Sequence, residues 1–194
     1  MAEIDAPSGP LVVAACHLDS NASPRQRTLQ LAAVLDCAGG ATRAIIGGDF
    51  NSSTYDLSSP WALARDVLHK LLVVGPRKTI EGYMTPEQRQ ERPLFDLLSE
   101  RGFTVEGFND RTLATYRYDF NEPYALQKLK RVGGRPAVWL VRRLVRRWNG
   151  CVPARLDWFA GRGIPAVSAT VVNPCDSEGR PVSDHAAVVC DALA

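Results

Sequence analysis

The chain has 194 residues, 45% of them hydrophobic and 23% charged, and a formal net charge of +2. A folded chain of that size buries roughly 70% of the surface its unfolded form exposes, enough for a real core. This composition excludes a disordered tail, a collagen-like repeat and a disulfide-dense miniprotein. The five cysteines (Cys16, Cys37, Cys151, Cys175, Cys190) are odd in number and contain no Cys-x-x-Cys pair. They read as reduced thiols, not as a disulfide frame or zinc site. The acidic start Met1-Ala2-Glu3-Ile4-Asp5 shows no signal peptide, and no apolar run is long enough to span a bilayer. A cytoplasmic location and no transmembrane segment are expected.

In chain order, Ala2 to Ala6 reads as the first arm of a hairpin, turned by Pro7-Ser8-Gly9-Pro10. Leu11 to Cys16 is a continuous apolar run, as in a strand covered on both faces. Ser23-Pro24-Arg25-Gln26 then opens a helix with a capping box and proline at its first position, and Gly39-Gly40 stops it. Arg43 to Gly47 is a short strand leading into Gly48-Asp49-Phe50-Asn51. Helices are expected from Pro60 to Leu72 and from Pro93 to Arg101, and a loop from Asp110 to Tyr124. A further helix runs from Pro136 to Trp148. Strands follow at Leu156 to Ala160, Pro165 to Val172 and Ala186 to Cys190. Strands alternating with helices indicate an α/β layered domain.

The near-neutral charge hides an asymmetry. From Lys128 to Arg155 there are nine basic residues and no Asp or Glu, leaving 14 basic against 21 acidic elsewhere. On the Pro136 helix, Ala137, Leu140, Val141, Leu144, Val145 and Trp148 share one face, and Arg142, Arg143, Arg146 and Arg147 the other. Such a helix is either a solvated surface or a contact for an anionic target, nucleic acid backbone or membrane, which Trp139 and Trp148 would also suit.

Four places set polar residues at the ends of apolar strands: His17-Leu18, Asp49 with Asn51, Asp157, and Asp184-His185. Carboxylates and an amide favour a hard cation such as Mg²⁺ or Mn²⁺. A histidine beside a carboxylate can take a proton from water. Together these are parts for metal-assisted hydrolysis of a phosphate ester. Each has a plainer reading. Asp49 and Asn51 could cap a turn, Asp157 could pair with Arg155, and His69 reads as solvated surface. Arg27 and Gln30 read as surface or packing residues.

The string His17-Leu18, Arg27-x-x-Gln30, Gly48-Asp49-Phe50-Asn51, Arg155-Leu156-Asp157-Trp158-Phe159 and Ser183-Asp184-His185 resembles the endonuclease/exonuclease/phosphatase superfamily. The resemblance covers essentially the whole chain and is loosest between Ser52 and Gly150. It implies the deoxyribonuclease-I-like fold, an α/β (α+β) four-layer α-β-β-α sandwich. The chain would be a single domain over residues 1–194, with a variable basic insertion around 123–150. It implies His185 as general base, Asp157 orienting its ring, and His17 donating to phosphate oxygens. Asp49 would position the attacking water and lie close to the metal, Asn51 would hydrogen-bond the phosphate, and Asp184 would ligate or approach the metal. The substrate would be a phosphate ester: nucleic acid, phospholipid or sugar phosphate.

Two departures qualify it. Cys16 stands where the family has Thr. The family's early Asn strand and Gln-Glu metal ligand have no counterpart before His17, and Gln90-Glu91 follows Asp49, out of order. A domain incomplete at its N-terminus is therefore expected. Rival readings are a largely inactive remnant, a phosphate- or nucleic-acid-binding module lacking the metal-ligand Glu, and a module completed by a separate N-terminal half.

Overall fold

The computed structural model describes residues 1–52, 59–89 and 91–193. With about 36% helix and 30% strand, the chain is mixed α/β, as the alternation of elements predicts. The described strands are β1 (Ala2–Ala6), β2 (Gly9–His17), β3 (Ala44–Asp49), β4 (Tyr116–Asp119), β5 (Cys151–Ala154), β6 (Asp157–Arg162), β7 (Ala166–Val172) and β8 (Ala187–Ala192). The α-helices are α1 (Pro24–Ala38), α2 (Pro60–His69), α3 (Pro76–Glu81), α4 (Arg92–Glu100) and α5 (Pro123–Val145).

A four-stranded sheet, ordered β1-β2-β3-β6, organises the first half and the site. β1 and β2 form the expected antiparallel hairpin. β2 and β3 run parallel, which requires a crossover, and α1 supplies it. The start of α1 is the predicted capping box: Gln26 N–H donates to Ser23 Oγ at 3.3 Å and Ser23 N–H to Gln26 Oε1 at 2.8 Å. β6 adds antiparallel to the far edge of β3. Separate two-stranded ladders pair β4 with β5 and β7 with β8.

Strand alternation sorts the sheet into two faces. One carries Ala14, Ile46, Trp158 and Ala160 and packs with Leu31 and Leu35 of α1 and Leu94 and Leu98 of α4. Ala14 and Ala160 leave room for the helix leucines, each of whose burial contributes about 1.5–3 kcal/mol. Beneath the helices Arg27 and Glu91 form a fully buried ion pair, and Arg27 Nη1 also donates to the Ala22 carbonyl at 2.6 Å. Arg27 is thus a packing residue, one of the two roles its place on the helix allowed. Gln90 lies outside the described residues.

Several expectations are corrected. Asp110 to Tyr124 is not all loop: Tyr116–Asp119 is strand β4, and Pro123 begins α5. A four-residue strand whose partner is Cys151–Ala154 has no local period to announce it. The helix expected at Pro136 is the second part of α5, which breaks where Gly134 takes φ +68°. Proline, lacking an N–H, restarts it, and Arg146–Trp148 closes it as a 3₁₀ turn. The helix expected to Leu72 ends at His69 and passes into a π turn, Lys70–Val74.

Candidate active site

Four of the candidate residues, His17, Asp49, Asp157 and His185, gather at one edge of the four-stranded sheet. The register pairs His17 with Asp49 and Asp49 with Asp157, so three neighbouring strands present these side chains side by side. Asp157 is the first residue of β6, not its end. Because β6 runs antiparallel to β3, its start lies at the same edge as the ends of β2 and β3.

Two glycines make this edge possible. Gly48 has φ +142°, and a Cβ there would lie 1.9 Å from the Cys16 carbonyl oxygen. At Gly47 a Cβ would meet the Phe159 ring at 2.2 Å. Gly47 therefore leaves room for the Phe159 ring, and Gly48 takes a backbone conformation in which a side chain would strike the neighbouring strand.

His185, just before β8, completes the cluster. Its Nδ1 lies 2.9 Å from Asp157 Oδ2, and its Nε2 4.0 Å from Asp49 Oδ2. His17 Nε2 is 3.4 Å from the same Asp49 oxygen, with its ring 74% exposed. The Asp157 hydrogen bond raises the His185 pKa above its ordinary 6.5, opposed by burial and reinforced by the charges of Asp157, Asp49 and Asp184. Burial raises the Asp49 carboxyl above 3.8, and the Asp157 charge adds to it, while the Asn51 amide opposes. Burial also pushes the Cys16 thiol up to about 11, so it stays protonated and is no nucleophile.

Asn51 takes the left-handed conformation, φ +49°. Its N–H donates to Asp49 Oδ1 at 2.8 Å, and its side-chain amide donates to the Leu18 carbonyl at 2.7 Å. It therefore ties the end of β3 to the end of β2, holding Asp49 beside His17. Asp184 is exposed, outside the tight group of Asp49, Asp157 and His185, whose ligand atoms lie within 4.8 Å of one another. Two facing carboxylates supply the hard oxygen donors that Mg²⁺ or Mn²⁺ takes, so the donor set fits such an ion.

Four further residues, three of them outside the motif string, hold this geometry. Thr115 is buried, and its Oγ1 accepts the Leu156 and Asp157 N–H groups at 3.0 and 3.1 Å, while its carbonyl accepts Ala186 N–H at 2.8 Å. One residue thus fastens both Asp157 and the His185 segment. Tyr116 packs against His185 with its ring tilted, ring centroids 4.8 Å apart. Asn109 brackets β6 through the Phe159 N–H and carbonyl. Arg155 is buried over the Trp158 ring and donates to the carbonyls of Asp110 and Leu113; its burial lowers its pKa to about 10. Asp157's short contact is to His185, not the ordinary Arg155 pairing. Only Arg155 carried a signal in the sequence, through its place in the motif.

No protein-family model matches the chain, and no curated protein matches it. What distinguishes the site is the single rim on which His17, Asp49, Asp157 and His185 meet. All five cysteines are free, and no described helix is long and apolar enough to cross a membrane.

Proposed function

We propose that this chain is a metal-assisted phosphoesterase of the endonuclease/exonuclease/phosphatase type, built as the four-layer sandwich its motifs suggest. One observation carries the reading: the His185–Asp157 pair faces Asp49 at the edge of one sheet, with His17 alongside. Asp157 accepts the Nδ1–H of His185, fixing the tautomer that leaves Nε2 free to accept a proton. A water held between Nε2 and Asp49 loses its proton to His185 as its oxygen attacks phosphorus in line with the leaving oxygen. His17, exposed at the rim, donates to the phosphoryl oxygens as negative charge builds. Asn51 keeps Asp49 and the His17 strand end in register. Asp49 and Asp157 would hold a Mg²⁺ or Mn²⁺ ion, which, when bound, supplies Lewis-acid stabilisation of the phosphoryl oxygens.

The test is hydrolysis of bis-(4-nitrophenyl) phosphate by the whole chain with Mg²⁺ or Mn²⁺. Activity should disappear with EDTA and fall by a factor of about 10²–10⁴ in His185→Ala. Turnover that survives both treatments overturns the reading. A second reading comes from the closeness of the three ligand atoms: His185 could itself ligate a softer ion such as Zn²⁺. His185→Ala would then weaken metal binding in calorimetry, whereas a base role leaves metal affinity nearly intact.

A further inference from the structure

The cationic helix takes no part in the chemistry above, and its outer face has a composition of its own. Val145 is buried, while Val141 and Trp148 pack half-buried against the same cluster as Tyr83, Val152 and Ala154. At 100° per residue, the opposite side carries Arg142, Arg146, Trp139, Arg143 and Arg147 in angular order, with Leu140 at its margin. All four arginines are exposed. Trp139 is 64% exposed and Leu140 38%. The Arg143 guanidinium lies about 6.0 Å from the Trp139 ring centroid, and that of Arg147 about 4.1 Å from the Trp148 ring.

Helix α3 touches both Arg147 and a turn that bears further exposed apolar residues. Glu81 pairs with Arg147 at 3.5 Å, and Thr79 Oγ1 donates to the Lys70 carbonyl at 3.1 Å. Lys70 opens the turn bearing Leu72 and Val73, which with Trp61 and Leu68 of α2 are exposed.

We propose that the outer face of α5, centred on Trp139, docks on an anionic lipid bilayer. Arginine matches phosphate geometry, and the basic charge near an anionic surface is favourable by charge complementarity. Indole suits the interface between headgroups and acyl chains. An aliphatic residue decides between anionic partners. Leu140, at the margin of this face, gains nothing along a sugar–phosphate backbone but does gain on leaving water for acyl chains. This docking does not depend on the phosphoesterase reading.

Sedimentation of the whole chain with vesicles tests it. Binding is expected to phosphatidylcholine mixed with phosphatidylserine, not to phosphatidylcholine alone, and brominated acyl chains should quench a tryptophan signal that Trp139→Phe removes. Replacing Arg142, Arg143, Arg146 and Arg147 together by Gln should weaken binding about 1,000-fold, and Trp139→Ser about tenfold. Circular dichroism should show both variants folded, because these side chains face solvent. Equal binding to both vesicle types, no quenching, or full binding by the Gln variant overturns the proposal. So does tight binding of a short DNA duplex with no vesicle binding, which would assign the face to nucleic acid. Hydrolysis of bis-(4-nitrophenyl) phosphate should be unchanged in both variants.

Discussion

The sheet that carries the site and the helix that carries the arginines treat charge in opposite ways. On and beneath the sheet, ionisable groups are enclosed and matched: Arg27 with Glu91, Asp157 with His185, and Arg155 with backbone carbonyls. On α5 and its closing turn four arginines stand in solvent, and the ion pair of Arg147 with Glu81 is half exposed. Buried charge costs several kcal/mol when its partner is lost, whereas an exposed pair is screened and contributes little. Geometry is therefore rigid where chemistry is proposed and loosely specified where only attraction to a surface is proposed.

Four changes break or sharpen that contrast, the largest first. Asp157→Asn should lower kcat by about 10²–10⁴-fold, because the ring loses the carboxylate that orients it and stabilises its protonated form. The sign of its pH effect follows from the raised His185 pKa. A base must be unprotonated, so wild-type kcat/KM climbs as pH rises through that value, above 6.5. Without the Asp157 charge the acid limb moves to lower pH, and pH–rate profiles of the two proteins check it. The same pairing stabilises the fold fully below 6.5, the ordinary value, and that contribution is lost as pH rises through the folded one.

Arg27→Ala comes next. It strands Glu91 in the core and should destabilise the chain by about 3–5 kcal/mol in urea unfolding. The paired change Arg27→Met with Glu91→Leu should recover much of that, since an apolar pair of similar volume needs no counter-charge.

Thr115→Val is smaller. It keeps the shape but leaves the Leu156 and Asp157 amides without their acceptor, costing about 1–3 kcal/mol. Because Asp157 then shifts against His185, the acid limb should move as well, with Thr115→Ser restoring it; a purely structural role would leave the limb in place.

Arg147→Gln closes the series. The Glu81 pair is exposed, so the thermal midpoint should not change measurably. A clear drop in the midpoint would show that the helix is held by its charges after all.

Much of the site was legible in the chain itself. His17, Asp49, Asp157 and His185 each sit beside an apolar run, and their order suggested a shared edge before any strand was paired. The capping box at Ser23 and the hairpin at Pro7 to Pro10 were equally readable, because each is a contact between residues a few positions apart. Thr115 and Asn109 were not. Their hydrogen bonds reach 41 to 50 residues along the chain, and a lone threonine or asparagine in a polar stretch carries no periodicity. The short strand β4 was hidden for the same reason.

The sequence by itself determined which residue types are present, where the helices cap and stop, and that charge concentrates between Lys128 and Arg155. Those properties follow from side-chain chemistry and local backbone preference. Only the tertiary structure decided that β6 runs antiparallel to β3, which brings the first residue of one strand beside the last of the other. It also decided that Leu140, grouped by helical spacing with the apolar face, is exposed while Val145 on that face is buried. Register and burial are settled by packing between distant segments, where one residue of slip would turn every side chain of a strand to the opposite face.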